Sequence, residues 1–407
     1  MALTGDASGP AQVLPLPLAS YADGVLGALS SLHPASHLER LDGPALLAER
    51  AALAGFRRAG SISAGGGCHL LSAADGFLAV NLARDADWEM LPAWLEAGAI
   101  KDWHGLARAL RKRSAAQCVD RGRLIGLAVA PEASPSGAPL TPWYREIYRS
   151  ERRRTPGASA PLVVDLSSLW AGPLASHLLQ SLGAQVIKVE SSARPDGMRS
   201  GGTHFYDLLN AGKASVALDF ERPRGRAQLR ELLLRADIVI EGSRPRALRQ
   251  LGIRAEEIVE ESATTWVAIS GYGREEPAAN WVAFGDDAGV AAGLSRILRE
   301  CTGVPMFCAD AIADPLTGLH AALAAWSSFA SGGGRLLSLA LSDVVTHCIQ
   351  FGGPLDAAAL KERAAKWRRC ITPEEVAAPR ARPLPARSAR PLGADTISIL
   401  SGLGVAC

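Results

Sequence analysis

Among the 407 residues, few side chains able to do acid–base, nucleophilic or metal chemistry stand in a recognisable pattern. The seven cysteines (68, 118, 301, 308, 348, 370 and 407) form no CxxC pair. Cys301 and Cys308 lack neighbouring metal-type partners, so neither a disulfide framework nor a metal site is expected. Asp314-Pro315 heads the apolar run PLTGLHAAL, where it reads as a helix N-cap followed by proline at the first helical position. A carboxylate so placed can cap the helix, and it is also presented at a helix N-terminus. Asp310 lies four residues earlier. His320, six residues after Asp314, reads as a helix-face or core histidine, and His204 and His347 have no motif partners. Only six of the 43 basic residues are lysine, so an individual lysine such as Lys188 or Lys213 is more informative than an arginine. Gly65, Gly66 and Gly67 form a run that permits large backbone excursions.

The elements that must hold these residues divide the chain. Residues 1–40, rich in Ala, Leu, Pro and Ser, read as an extended lead-in. A small α+β unit is expected over 41–131: a helix at 43–57, a loop at 61–67, and a hairpin turning at Asp75-Gly76. Helical spacing then recurs at Trp88, Leu91 and Trp94 and at Trp103, Leu106 and Leu110, before a strand at 124–131. Residues 132–160 read as a linker, with a solvated arginine run at 145–154. From 161 to 377 short apolar strands alternate with helices: LVVDL, QVIKVE, SVALDF, DIVIEG and TWVAISG, then a strand at 335–341. That alternation predicts an α/β fold with a doubly wound parallel sheet. Helices are expected near 172–183, 222–235, 254–262, 286–299, 310–330 and 342–350. A Pro/Arg-rich tail and terminal helix occupy 378–407.

Apolar residues make up 48% and charged residues 21% of the chain, enough for a sizeable core and too apolar for a disordered protein. The net charge of +2 gives no nucleic-acid-binding field. No apolar run is long enough to span a bilayer, and the first ten residues lack the pattern of a signal peptide, so a cytoplasmic protein is expected. The first strand–helix turn of the α/β unit, Asp165 to Pro173, holds no GxGxxG and no P-loop, which argues against a dinucleotide or nucleotide fold.

VVDLSSLWAGPLASHLLQSLGAQVIKVE (163–190), LNAGKASVALDF (209–220), IEGSRPRALRQLGI (240–253), VAISGYG (267–273) and ADAIADPLTGLHAALAAW (309–326) follow one another in order. Together they resemble the family III CoA-transferases, the CaiB/BaiF group that includes formyl-CoA transferases and α-methylacyl-CoA racemases. The resemblance implies a Rossmann-like, CoA-binding domain, an interlocked homodimer, and coenzyme A or acyl-CoA as substrate with no tightly bound cofactor. It further implies that Lys188, Glu190, Asn210, Lys213 and Arg244 line the CoA site. Where the family often has Asn-Phe, this chain has Gly242-Ser243, which bears on the adenine and ribose contacts.

The family's catalytic aspartate precedes a Thr-Gly pair by two intervening residues, which Asp314-Pro-Leu-Thr317-Gly318 matches and Asp310 does not. The implied reaction moves CoA from an acyl-CoA to a carboxylic acid through aspartyl anhydride and aspartyl-CoA intermediates. The racemase alternative needs a histidine opposite the aspartate, and Phe284 stands there instead. A CoA-binding paralogue without turnover is the second alternative. Residues 64–95 resemble the family's small domain, which family members insert within the large one, so the domain order looks circularly permuted. Gly65, Gly66 and Gly67 would then be a lid loop over Asp314.

Overall fold

The computed structural model describes residues 2–33, 38, 41–137, 139–154, 160–201, 203–371 and 376–406. Three strands, β1 (Cys68–Ser72), β2 (Phe77–Asn81) and β3 (Ala128–Pro131), form an antiparallel sheet in the order β1-β2-β3. The hairpin at Asp75-Gly76 is present with a four-residue turn, closed by a 2.8 Å bond from the Ala73 N–H to the Gly76 carbonyl. Strand alternation gives the sheet two uses. Leu71, Leu78, Val80 and Val129 pack on Leu91, Trp94, Leu106 and Leu110 from its own helices. The smaller Cys68, Leu70, Ala79 and Ala130 face Val290 and Phe307 of the following unit. The expected helix over 43–57 is two pieces, Gly43–Leu46 and Glu49–Ala54.

The second sheet has seven strands: β4 (Arg145–Arg149), β5 (Leu162–Asp165), β6 (Gln185–Ser191), β7 (Ala214–Leu218), β8 (Ile238–Glu241), β9 (Thr265–Ser270) and β10 (Arg335–Ala340). Their order is β4-β10-β9-β8-β5-β6-β7, all parallel except β4 against β10. The parallel strands are apolar runs buried between helical layers, as the sequence requires. β4 lies within the expected linker and is a strand of the sheet, while its arginines are exposed as expected. As an edge strand it is largely exposed, and its charges protect the sheet edge. The strand order reverses between β5 and β8, the type of crevice where such sheets take ligands.

Two further departures bear on the site. The lead-in contains a helix, Leu18–Leu32, whose Leu18, Ala22, Val25, Leu26 and Leu29 are buried in the main core. Burying each leucine contributes about 1.5–3 kcal/mol, so this segment belongs to the fold. The helix expected over 286–299 is broken into Gly285–Ala291 and Leu294–Thr302 at Gly293, whose φ is +107°. A Cβ there would also lie 2.9 Å from the Pro135 backbone, so the linker packs into the break.

Candidate active site

The Ala313–Ala330 helix crosses the centre of the molecule, buried for most of its length. Its Thr-Gly pair has a packing reason. A Cβ on Gly318 would stand 2.7 Å from the Ala171 carbonyl, so only glycine lets this helix approach the start of the Ala171–Ser181 helix. Asp314 lies in the first turn, and Ile312 rather than Asp314 is the N-cap. The expected capping role is therefore corrected: the Asp314 carboxylate is turned to a neighbouring backbone instead. It meets Gly285 at the start of another helix, where a Cβ would come within 2.2 Å of Asp314 Oδ2. The sequence Gly285-Asp286-Asp287 is thus shaped to admit the Asp314 carboxylate.

Asp314 is not alone. Asp286 accepts a 2.9 Å bond from the Ala311 N–H. Asp287 caps its own helix through the Phe284 N–H at 2.9 Å, and it also accepts from the Tyr272 hydroxyl at 3.1 Å. Asp310 is fully buried and pairs with Arg50, whose Nε donates to Oδ2 at 2.8 Å. Burial raises Asp314 to about 7; Asp286 and Asp310 add to the rise, while Arg50 and the Gly285 N–H oppose it. Burial likewise raises Asp286 to about 6 and Asp287 to about 7.

Such groups bind protons more tightly folded than unfolded between about pH 4 and 7, so their contribution to stability falls as pH rises through that window. Asp287→Asn should therefore make the protein about 2 kcal/mol more stable at pH 8, with the gain fading towards pH 4. Urea denaturation at the two pH values measures this, and an equal effect at both contradicts it.

The glycine run lies by this cluster. A Cβ on Gly65 would sit 3.5 Å from both Arg50 Nη2 and the Phe56 ring, and Gly66 has φ +78°. Gly67 lies on the side of Asn81, whose amide donates to Asp287 at 3.4 Å. Arg50, Gly285, Asp286 and Asp287 were not singled out from sequence. The Asp-Asp pair opening an apolar helix is a visible capping signal, but Arg50 and Asp310 are 260 positions apart and give no local sign of pairing.

The residues implied for CoA separate into two groups. Lys188, Glu190, Asn210 and Lys213 come together, but they are buried and bonded to protein. Lys188 Nζ donates to the Ser167 carbonyl at 2.8 Å and pairs with Asp196 at 3.0 Å. Glu190 accepts from Arg199 Nε at 2.9 Å and from the Asp196 N–H at 2.9 Å. Lys213 Nζ is held by Asp165 (3.2 Å), the Pro173 carbonyl (3.0 Å), Ser176 (2.7 Å) and Asn210 (2.9 Å). Burial lowers Lys213 to about 8 against the pull of Asp165. In this arrangement they brace the ends of β5 and β6. Arg244 differs: it is exposed on the loop after β8, beside the strand-order reversal, in the like-charged company of Arg246, Arg84 and Arg194.

Asp314 and the strand-order reversal beside β8 both fall within the segment that matches a known sequence family. The profile of CoA-transferase family III matches residues 161–365, half of the chain. The chain belongs to CoA-transferase family III. Succinate–glutarate CoA-transferase of Agrobacterium fabrum is 31% identical over 209 residues, covering 47% of this chain and 52% of that protein. Human succinyl-CoA:glutarate CoA-transferase is 32% identical over 167 residues, 39% of this chain and 38% of the human protein. A CaiB/BaiF family protein from Brucella suis aligns in structure with TM-score 0.41 and 28% identity, over 46% of this chain and 53% of its own. The chain spans about half the length of the curated relatives it matches. No described helix is long and apolar enough to cross a membrane.

Proposed function

We propose that this family III member is a CoA-transferase that moves CoA from an acyl-CoA to a carboxylic acid, with Asp314 as the nucleophile. The observation that carries the reading is the Asp314 carboxylate itself, set against Gly285 and biased by a nearby guanidinium without being paired to it. An aspartate locked in an ion pair would be a poor nucleophile, and one without a cation nearby would be hard to ionise.

In this mechanism an Asp314 oxygen attacks the thioester carbonyl. The C–S bond breaks, leaving a mixed anhydride and CoA thiolate. The thiolate then attacks the aspartyl carbonyl and expels the first carboxylate, giving aspartyl-CoA. An incoming carboxylate attacks that thioester and releases the thiolate, which attacks the new acyl carbonyl and regenerates Asp314. The Gly285 N–H is suited to the oxyanions formed on the aspartyl side. Racemisation finds no support, because Phe284 cannot move a proton and His320 lies on the same helix as Asp314, six residues further along, buried and stacked on Tyr21 at 5.4 Å rather than opposite the carboxylate. An exchange assay with acyl-CoA donors and a panel of acids tests the reading. New acyl-CoA products support it; CoA binding without exchange on any acid points to the paralogue without turnover.

Arg244, free of any ion pair among the described residues, is suited to a CoA phosphate. Arg244→Ala should weaken CoA binding by about 1.5–3 kcal/mol in calorimetric titration, and unchanged affinity removes it from the site. Lys188, Glu190, Asn210 and Lys213 then act by holding the shape of the strand ends beneath the nucleotide. Gly65, Gly66 and Gly67 are suited to a lid over the cluster, since Gly65 lies beside Arg50, Gly67 lies beside Asn81, and none carries a side chain.

The 41–131 unit in turn stands in for the relatives' middle domain in permuted order. A homodimer fits the exposed Leu140, Tyr144 and Phe351, and sedimentation velocity should show it at micromolar concentration. A monomer there counts against it. The cysteines among the described residues are free, which suits the reducing cytoplasm expected for this enzyme.

A further inference from the structure

A guanidinium offers a carboxylate two edges, Nε with one terminal nitrogen or the two terminal nitrogens together. In Arg50 the first edge is taken. Nε donates to Asp310 Oδ2 at 2.8 Å and Nη2 to Oδ1. Nη1 makes no hydrogen bond to any described residue, and the only ion pair of Arg50 among them is with Asp310. The second edge, Nη1 with the remaining Nη2 hydrogen, is therefore free.

Everything around Arg50 fixes this geometry. Asp310 is fully buried, so the side-on pair is firmly held, while the Arg50 side chain keeps 26% of its surface. The Trp170 and Phe56 ring centroids lie 5.2 and 5.7 Å from the guanidinium carbon, which confines its plane and limits its hydration. Gly65 presents no side chain beside Nη2. Asp314 is near enough to feel the charge of Arg50 and is not bonded to it.

We propose that the free edge of Arg50 is a subsite for the carboxylate of a small organic acid, held next to Asp314. This rests on the transferase reading, in which one carboxylate leaves and another arrives beside Asp314 in every cycle. Either must approach Asp286, Asp310 and Asp314, and Arg50 is the cation that bears on that cluster. The charge balance favours a planar monoanionic group over a phosphate, which would bring a second negative charge against the same aspartates. Arg50 lies outside the family-matched segment, so the subsite is a contribution of the N-terminal unit.

The test is calorimetric titration of the full chain, without any CoA compound, using glutarate and its neutral analogue glutaramide. Glutarate should bind saturably and glutaramide should not. Arg50→Lys can still pair with Asp310 but has no second planar edge, so it should weaken glutarate at least tenfold while melting cooperatively. Gly65→Leu, which leaves the ion pair in place and puts a side chain beside Nη2, should do the same and stands in if Arg50→Lys does not fold. Absence of saturable glutarate binding, equal binding of glutaramide, or unchanged affinity in these variants overturns the subsite. Because no CoA is present, glutarate binding through Arg50 alongside a failed exchange assay would sink the transferase reading alone.

Discussion

Asp314→Asn should abolish CoA transfer, lowering turnover by more than about a thousandfold, while CoA affinity changes little. The amide keeps the shape of the side chain beside Gly285 and loses the nucleophilic oxygen. For the unaltered protein, transfer should rise with pH through about 7, since the carboxylate is held there and only its ionised form attacks. Asp310→Asn should also affect transfer, although Asp310 lacks the Thr-Gly spacing. Asp310 is not a bystander, because its loss frees the Arg50 guanidinium. That variant should lose activity through a displaced Arg50 and still leave Asp314 able to become acylated. Activity surviving Asp314→Asn would end the nucleophile assignment.

The second large effect is on stability. Lys213→Met removes the ammonium that meets Asp165, Pro173, Ser176 and Asn210, and leaves Asp165 fully buried at the end of β5. Breaking a buried pair from one side costs about 3–5 kcal/mol, and urea denaturation should show that loss. Adding Asp165→Asn should recover a good share of it, since the stranded charge is then gone. The residual CoA affinity of folded Lys213→Met should be near that of the unaltered protein. A stable Lys213→Met protein with weak CoA binding would instead return Lys213 to direct phosphate contact.

These two residues illustrate what sequence could reveal. The parallel strands were legible because they are short runs built mainly of apolar residues, and the Asp314 spacing was legible because Thr317 and Gly318 follow it in a fixed order. Whether a lysine is open or enclosed was not. Lys213 is identified by type, but its enclosure depends on Asp165, 48 positions away. The helix Leu18–Leu32 carries a regular apolar face, at Leu18, Ala22, Val25, Leu26 and Leu29, yet Pro15 and Pro17 just before it made the region read as extended. β4 hid for the opposite reason: an edge strand exposed on both faces has no alternation to read. Arg50 had no motif at all, and only the fold brings it to Asp310.

The central claim is that Asp314 carries the acyl group. Incubation with an acyl-CoA, quenching with hydroxylamine and peptide mass spectrometry test it directly. The expected result is a hydroxamate on Asp314, absent in Asp314→Asn and present, though reduced, in Asp310→Asn. A hydroxamate on Asp310 or Asp286, or steady transfer with no modified aspartate, would contradict the mechanism.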